Sequence, residues 1–333
     1  MKRPDHAPSI VLGPDDGHRT SAGPPAPSAE HSAQSAPHPV LAAVRRRFPD
    51  GEQLITLPDA KRLAGRHALV VHTTAPPQDE RLVSLLQLID VVRDAGAASV
   101  TCFVPYLCYQ RQDRRSRPGE PVSARLAVDA LAAAGADQLL TLDAHAPMRS
   151  ARIPVTDLSA APAFAAHVRD LGLRPDMVVS PDKGGGSRAA AVAGLLGIPM
   201  TALEKKKEPD GRTWYGQLPP DLSNRRCLIV DDLCSSGSTL IPLCAALAEV
   251  GSTCAAVGVT HLLTDRAALL NQLPEGARLL STDSCGDASA PVGVLPLALE
   301  AWRPPAATAP AEQTGGPAGQ PAGQGKVMAP HGL

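Results

Sequence analysis

Leu228-Ile229-Val230-Asp231-Asp232-Leu233-Cys234-Ser235-Ser236-Gly237-Ser238-Thr239 is an apolar run that ends in two acids and opens through small residues into an Ala/Leu-rich stretch. The pattern predicts a buried strand, a tight turn and a helix N-terminus. Such a turn suits a phosphate monoester. Backbone N–H groups at the helix start point at the anion, the positive end of the helix dipole favours it, and Ser and Thr hydroxyls add donors. The preceding carboxylates cannot serve that phosphate. Asp231 and Asp232 stand instead where sugar hydroxyls or a hard cation would lie. An ordinary capped helix is the plain alternative, since Ser is also a favoured N-cap. Paired acids and a whole small-residue turn exceed what capping needs.

Outward from this segment, short β-branched runs alternate with longer stretches at helical period, the signature of an α/β fold with mainly parallel sheets flanked by helices. Strands are expected over 67–73, 99–106, 138–143, 177–182, 227–232 and 255–261, with Ser9 to Gly13 as a lone first strand. The stretch 80–96 places Leu82, Leu85, Leu86, Ile89, Val92 and Ala95 on one helical stripe and stops at Gly96. Stretches 124–135 and 239–251 end on glycine in the same way. Strands closing on acids occur twice, at Leu142-Asp143 and at Val230-Asp231-Asp232, which suggests two similar lobes.

Length and composition bound the answer further. A chain of 333 residues with 44% hydrophobic residues builds a core without staples. A formal net charge of -1 argues against a surface matched to nucleic acid or anionic membrane, and 2% aromatics leave little for base-stacking platforms. Seven cysteines without a Cys-x-x-Cys pair give no zinc or dithiol motif, and a reduced, cytoplasmic setting is expected. No run approaches the roughly 18 apolar residues of a membrane span. Residues 1–40 and 304–333 are rich in Pro, Gly, Ala and Ser and are expected to be mostly disordered extensions.

Four more segments carry chemistry. Val104-Pro105-Tyr106 leads to Arg111-Gln112-Asp113-Arg114-Arg115 and Arg117, a basic loop suited to a triphosphate. His145 follows a strand end in Asp143-Ala144-His145-Ala146. Asp182-Lys183-Gly184-Gly185-Gly186 follows another strand, its glycines allowing close backbone approach to an anion. Phe48-Pro49-Asp50-Gly51-Glu52 reads by itself as a turn.

The string 228–239 resembles the phosphoribosyl diphosphate (PRPP) loop of type I phosphoribosyltransferases. With the four further segments, in order and spacing from about Phe48 to about Ala301, the chain resembles the ribose-phosphate pyrophosphokinases of that superfamily. The resemblance implies two phosphoribosyltransferase-like lobes, 41–157 and 158–303, with the active site between them and assembly into dimers to hexamers. It implies transfer of the β,γ-diphosphoryl group of ATP to the 1-hydroxyl of ribose 5-phosphate, giving PRPP and AMP with Mg²⁺ as cofactor. Ribose 5-phosphate would lie against Asp231, Asp232, Ser235, Ser236, Gly237, Ser238 and Thr239. ATP would meet Arg111, Gln112, Asp113 and His145, with Phe48, Asp50 and Glu52 reaching a neighbouring subunit's adenine. Asp182, Lys183, Gly184 and Gly185 would form the pyrophosphate loop, and His145 and Asp182 would hold metal. In Glu204-Lys205-Lys206-Lys207, Lys205 aligns with the family's catalytic lysine, while Lys207 falls where an Arg is common.

The match departs at Ser235, where many members have Asp, at Ser238, a common Gly, and after His261, where Leu262-Leu263 replaces the usual Ser-Gly. Two other classes compete: a non-catalytic PRPP synthetase-like regulatory subunit and a transferase that consumes PRPP. Lys205, His145 and Asp182 together disfavour the first. The Arg111-Gln112-Asp113 loop disfavours the second.

Overall fold

The computed structural model describes residues 8–14, 38–148, 150–208 and 213–305. The disorder expected of 1–7, 15–37 and 306–333 falls on residues outside these. In chain order the first lobe runs β1 (Ser9–Leu12), β2 (Val40–Ala42), β3 (Val44–Arg47), β4 (Gln53–Thr56), β5 (His67–Val71), α1 (Gln78–Asp94), β6 (Ser99–Phe103), α2 (Ser123–Ala134), β7 (Gln138–Leu142) and β8 (Val155–Leu158). Then come α3 (Ala161–Asp170), β9 (Met177–Ser180), α4 (Gly186–Leu196), β10 (Met200–Ala202), β11 (Lys205–Lys207), β12 (Thr213–Tyr215), β13 (Arg226–Cys234), α5 (Leu240–Glu249), β14 (Thr253–Leu262), α6 (Arg266–Leu270), β15 (Arg278–Ser281) and α7 (Leu295–Ala301).

Among the described residues the first sheet has the order β2-β1-β5-β6-β7-β8 and the second β10-β9-β13-β14-β15, with parallel neighbours throughout. Counting only the strands of each main sheet, both begin 2-1-3-4-5. Each also carries an antiparallel hairpin after its second strand, β3–β4 and β11–β12. The suspected internal repeat is therefore written in the topology.

Ser9–Leu12 is not a lone strand. It lies between β2 and β5, buried along its length, because a short apolar run with no polar face is stable only inside a parallel sheet. Elsewhere the strand bounds shift in a consistent way. The runs expected to 73, 106, 143 and 182 leave the ladder at Val71, Phe103, Leu142 and Ser180, and their polar last residues enter loops at the carboxyl ends. By contrast β13 and β14 extend two and one residues further than expected, to Cys234 and Leu262.

The helices obey their stripes. Leu85, Leu88, Ile89 and Val92 of α1 are fully buried, with Leu82 and Leu86 at the margin. One apolar cluster lies under α1 and α2, and a second lies under α5. A third joins the lobes: Leu69, Phe103 and Leu140 of the first sheet meet Val178, Leu228 and Ala256 of the second, together with Phe164 of α3 and Trp302 after α7. Polar links cross the same seam. Thr260 Oγ1 donates to Asp143 Oδ2 at 2.6 Å, and His261 Nε2 lies 3.0 Å from the Leu142 carbonyl.

Candidate active site

In an open parallel sheet, ligands bind outside the strand carboxyl ends where the strand order reverses. In the second sheet that point lies between β9 and β13, whose ends carry Asp182 and Asp231 to Thr239. A polar cleft of about 480 Å³ opens there, lined by Asp182, Gly184, Gly185, Asp231, Asp232 and the whole turn Ser235 to Thr239. Arg111 and His145 reach it from the first lobe, and Lys205 from the β11–β12 hairpin.

The turn has the backbone of an anion cradle. Gly237 is left-handed at φ +80, and a Cβ there would meet Ile241 Cδ1 at 2.8 Å and Leu269 Cδ1 at 3.0 Å. Thr239 precedes α5 but its side chain makes no capping hydrogen bond, so the first turn keeps donors for an incoming anion. Ordinary capping therefore does not explain these hydroxyls. Across the cleft the Gly185 N–H donates to Asp182 Oδ1 at 3.0 Å. A Cβ on Gly185 would sit 2.6 Å from Ser180 Oγ, so a larger residue here must displace a hydroxyl that donates to the Asp182 carbonyl at 2.7 Å.

The charges interlock. Lys205 Nζ pairs with Asp182 Oδ2 at 2.6 Å. Burial alone would raise the Asp182 carboxyl, but this contact and the Gly185 N–H outweigh it and hold the group below its usual range. Burial first, then the charge of Asp232, pushes Asp231 up to about 7. Asp232 is held low: burial would raise it, but Arg188 and His145 outweigh that. His145 Nδ1 lies 3.1 Å from Asp232 Oδ2, which joins the two lobes inside the cleft.

A second cleft of about 430 Å³ continues from the first, lined by Gln78, Tyr106, Gln110, Arg111, Gln112 and Leu263. Its wall is more apolar, fitting a planar ring beside a charged chain. Gln110, which the sequence reading passed over, accepts from the His145 backbone N–H at 2.7 Å. His261 beneath it is fully buried, and burial lowers its pKa to about 4, so it is neutral.

Several expected residues lie elsewhere. Asp113 lines neither cleft. Arg114, Arg115 and Arg117 are exposed, and Arg115 turns back to the Glu120 carbonyl at 3.0 Å while the Glu120 carboxylate accepts the Ser116 and Arg117 N–H groups. None of the three arginines lines either cleft. Lys183 points away to Glu204, 3.6 Å distant and exposed, and lines the groove beneath the β11–β12 hairpin. Phe48, Asp50 and Glu52 sit on the turn of the β3–β4 hairpin, outside both clefts; Glu52 lines a separate shallow groove against α1. Arg46 stacks over the Phe48 ring at 5.1 Å. The side chain of Lys207 is outside the described residues.

Arg188 and Asp143 are two further residues that sequence reading missed. Arg188 occupies the first turn of α4, where a cation opposes the helix dipole, and that placement six residues after Asp182 is the signal that could have found it. Tyr215, half-buried on β12, sends its hydroxyl to the Thr239 carbonyl at 3.4 Å and so ties the lysine hairpin to the phosphate turn.

Among the described residues no three His, Cys, Asp or Glu side chains converge as a ready-made metal cage. Asp182 and His145 stand on opposite walls, one engaged by Lys205 and the other by Asp232. The oxygen-rich donor set still fits a hard divalent cation of the kind that takes one or two carboxylates and fills its shell with phosphate oxygens and water. All seven cysteines are free thiols. Among the described residues no helix is long and apolar enough to cross a membrane.

Fold and site together define a phosphoribosyltransferase-type α/β protein with a second lobe facing the sugar-phosphate cradle. A family model for the N-terminal domain of ribose phosphate pyrophosphokinase matches residues 26–135, and one for the phosphoribosyl transferase domain matches residues 158–273. The ribose-phosphate pyrophosphokinase of Granulibacter bethesdensis is 37% identical over 238 residues, 71% of this chain and 76% of that one. That of Methanopyrus kandleri is 36% identical over 77% of this chain and 88% of its own. The crystal structure of phosphoribosylpyrophosphate synthetase from Mycobacterium smegmatis superposes with a TM-score of 0.64 at 26% identity, covering 83% of this chain and 89% of that one. The chain belongs to the ribose-phosphate pyrophosphokinase family.

Proposed function

We propose that this protein is a ribose-phosphate diphosphokinase, which passes the β,γ-diphosphoryl group of ATP to the 1-hydroxyl of ribose 5-phosphate. The observation that carries the reading is a single cleft in which a phosphate turn, paired carboxylates, a lysine on a hairpin and a first-lobe arginine and histidine converge. A base transferase needs the turn but not the first-lobe wall.

Ribose 5-phosphate would place its phosphate in Ser235 to Thr239 and its ring hydroxyls against Asp231 and Asp232. Its anomeric oxygen then faces the wall of Asp182, Gly184 and Gly185, where the diphosphoryl group of ATP would lie. The nucleoside end extends into the second cleft past Arg111 and Gln112. The anomeric hydroxyl attacks the β-phosphorus and gives up its proton to water, the bond from that phosphorus to the α-bridging oxygen breaks, and AMP leaves with the bond's electron pair. Positioning and charge neutralisation supply most of the acceleration in such transfers. Lys205, already at the Asp182 wall, supplies positive charge where negative charge builds; Lys207 is proposed to assist. Mg²⁺ is the proposed cofactor, near His145 and Asp182, and would neutralise the polyphosphate oxygens.

The β3–β4 hairpin supports a homo-oligomer, since Phe48, Asp50 and Glu52 line neither of the two clefts of the site and are proposed to reach a neighbour's adenine. Near-neutral charge and free thiols support a cytoplasmic enzyme without nucleic-acid or membrane partners.

The test is AMP release from Mg²⁺, ATP and ribose 5-phosphate with PRPP identified by mass. Lys205→Ala should lower turnover on the order of a hundredfold or more. Ligand binding with no AMP from the parent protein would instead point to a regulatory subunit.

A further inference from the structure

Arg188 has a placement that its helix does not explain. It is the third residue of α4, where the dipole disfavours a cation, and only 13% of its side chain is exposed. Its neighbours are two carboxylates from different lobes. Nη2 lies 3.3 Å from Asp232 Oδ2, at the end of the second lobe's β13, and Nε lies 3.9 Å from Asp143 Oδ1, just past the first lobe's β7.

Both carboxylates are held from their other sides. Asp232 Oδ2 also lies 3.1 Å from His145 Nδ1, so this one oxygen is held between the guanidinium and the imidazole. Asp143 has a left-handed backbone at φ +41, a strained state for a residue with a Cβ, and its Oδ2 accepts from Thr260 Oγ1 at 2.6 Å. The guanidinium packs against the pyrophosphate turn, where a Cβ built on Gly185 would lie 3.6 Å from Nη1, an ordinary contact distance.

We propose that Arg188 is a positioning residue for the transfer, a two-armed clasp that sets Asp232 and His145 in register across the lobes. The inference rests on the diphosphokinase reading above. One nitrogen holds the carboxylate assigned to the sugar, and another holds the strand end that carries the nucleotide-side histidine. Lysine has the charge without the fork, so it cannot span both. The effect of the clasp is geometric and falls on the chemical step more than on the binding of either substrate.

The experiment compares Arg188→Gln and Arg188→Lys with the parent in the AMP-release assay, with thermal unfolding alongside. For the Gln variant kcat is expected to fall on the order of a hundredfold, in line with misplacement of reacting groups, while KM for each substrate stays within about threefold. The Lys variant is expected to unfold with the parent yet regain less than about tenfold of the lost kcat. Asp143→Asn serves as a second route if the Gln variant does not fold. It cuts one arm, leaves Arg188 in place, and should lower kcat with the same KM pattern. A kcat within about threefold of the parent in Arg188→Gln, or failing that in Asp143→Asn, overturns the clasp. So does full recovery by Lys of both unfolding temperature and kcat, which would mark simple charge balance. A parent that makes no PRPP refutes the activity, and the clasp falls with it; an active parent with unaffected variants refutes the clasp alone.

Discussion

Replacing Asp231 by Asn removes a carboxyl that the fold holds at a disadvantage. The residue is 8% exposed, and burial with the neighbouring Asp232 charge raises its pKa from 3.8 to about 7. Between these values the folded protein keeps a proton that the unfolded chain has released. Unfolding free energy therefore falls as pH rises from about 4 to about 7 and levels off beyond. At about 1.4 kcal/mol per unit, the rise sets a ceiling of about 4 kcal/mol on the penalty at pH 8. Asp232 shares the pair's titration, so only part of that ceiling belongs to Asp231. Asn has the same size and stays neutral at every pH. In urea unfolding of the ligand-free protein, Asp231→Asn should gain about 1–3 kcal/mol at about pH 8, shrinking to under about 0.5 kcal/mol near pH 4. The same variant should lose at least about tenfold in affinity for ribose 5-phosphate, because it gives up a charged acceptor for sugar hydroxyls. A less stable variant at pH 8, or a gain that does not change with pH, would refute the reasoning.

Gly237→Ala should raise KM for ribose 5-phosphate and destabilise the fold by about 1–2 kcal/mol, since alanine resists the left-handed backbone and its methyl crowds Ile241 and Leu269; steady-state kinetics and urea melts check both. Phe48→Ala should raise KM for ATP several-fold without changing KM for ribose 5-phosphate. The residue is 37% exposed with Arg46 stacked over its ring, so stability should change by under about 1 kcal/mol. Lys205→Ala should leave both KM values within about threefold while turnover collapses, the pattern of an interaction made only in the transition state.

Much of this was legible in the chain because its chemistry is local. A phosphate turn needs an apolar strand, small residues and a helix start in unbroken sequence, and 228–239 supplies all three. The lobes were legible for the same reason, as β-branched runs between Ala/Leu stripes. What escaped depends on the third dimension. Arg188 is an unremarkable basic residue until the fold brings Asp143 and Asp232 to it from positions 45 and 44 residues away on either side. The central place of Ser9–Leu12 depends on parallel partners at Val40–Ala42 and His67–Val71, which four residues cannot announce. Conversely, the arginine run after Gln112 looked like a polyphosphate grip because sequence shows charge and not direction; Glu120 satisfies part of that loop internally.

The chain's two tryptophans stand at two different joints. Trp214 lies on β12, 40% exposed, with Lys206 Nζ 4.9 Å from its ring centroid, on the face of the hairpin opposite Lys205 and Tyr215. Trp302 is 6% exposed in the core shared by both lobes. Excited at the red edge of indole absorption, the protein thus carries one lamp on its lysine hairpin and another between its lobes. Trp302→Phe leaves emission from the hairpin alone, and Trp214→Phe leaves emission from the seam. Stopped-flow traces from the pair would time hairpin movement and lobe movement separately, without any added dye.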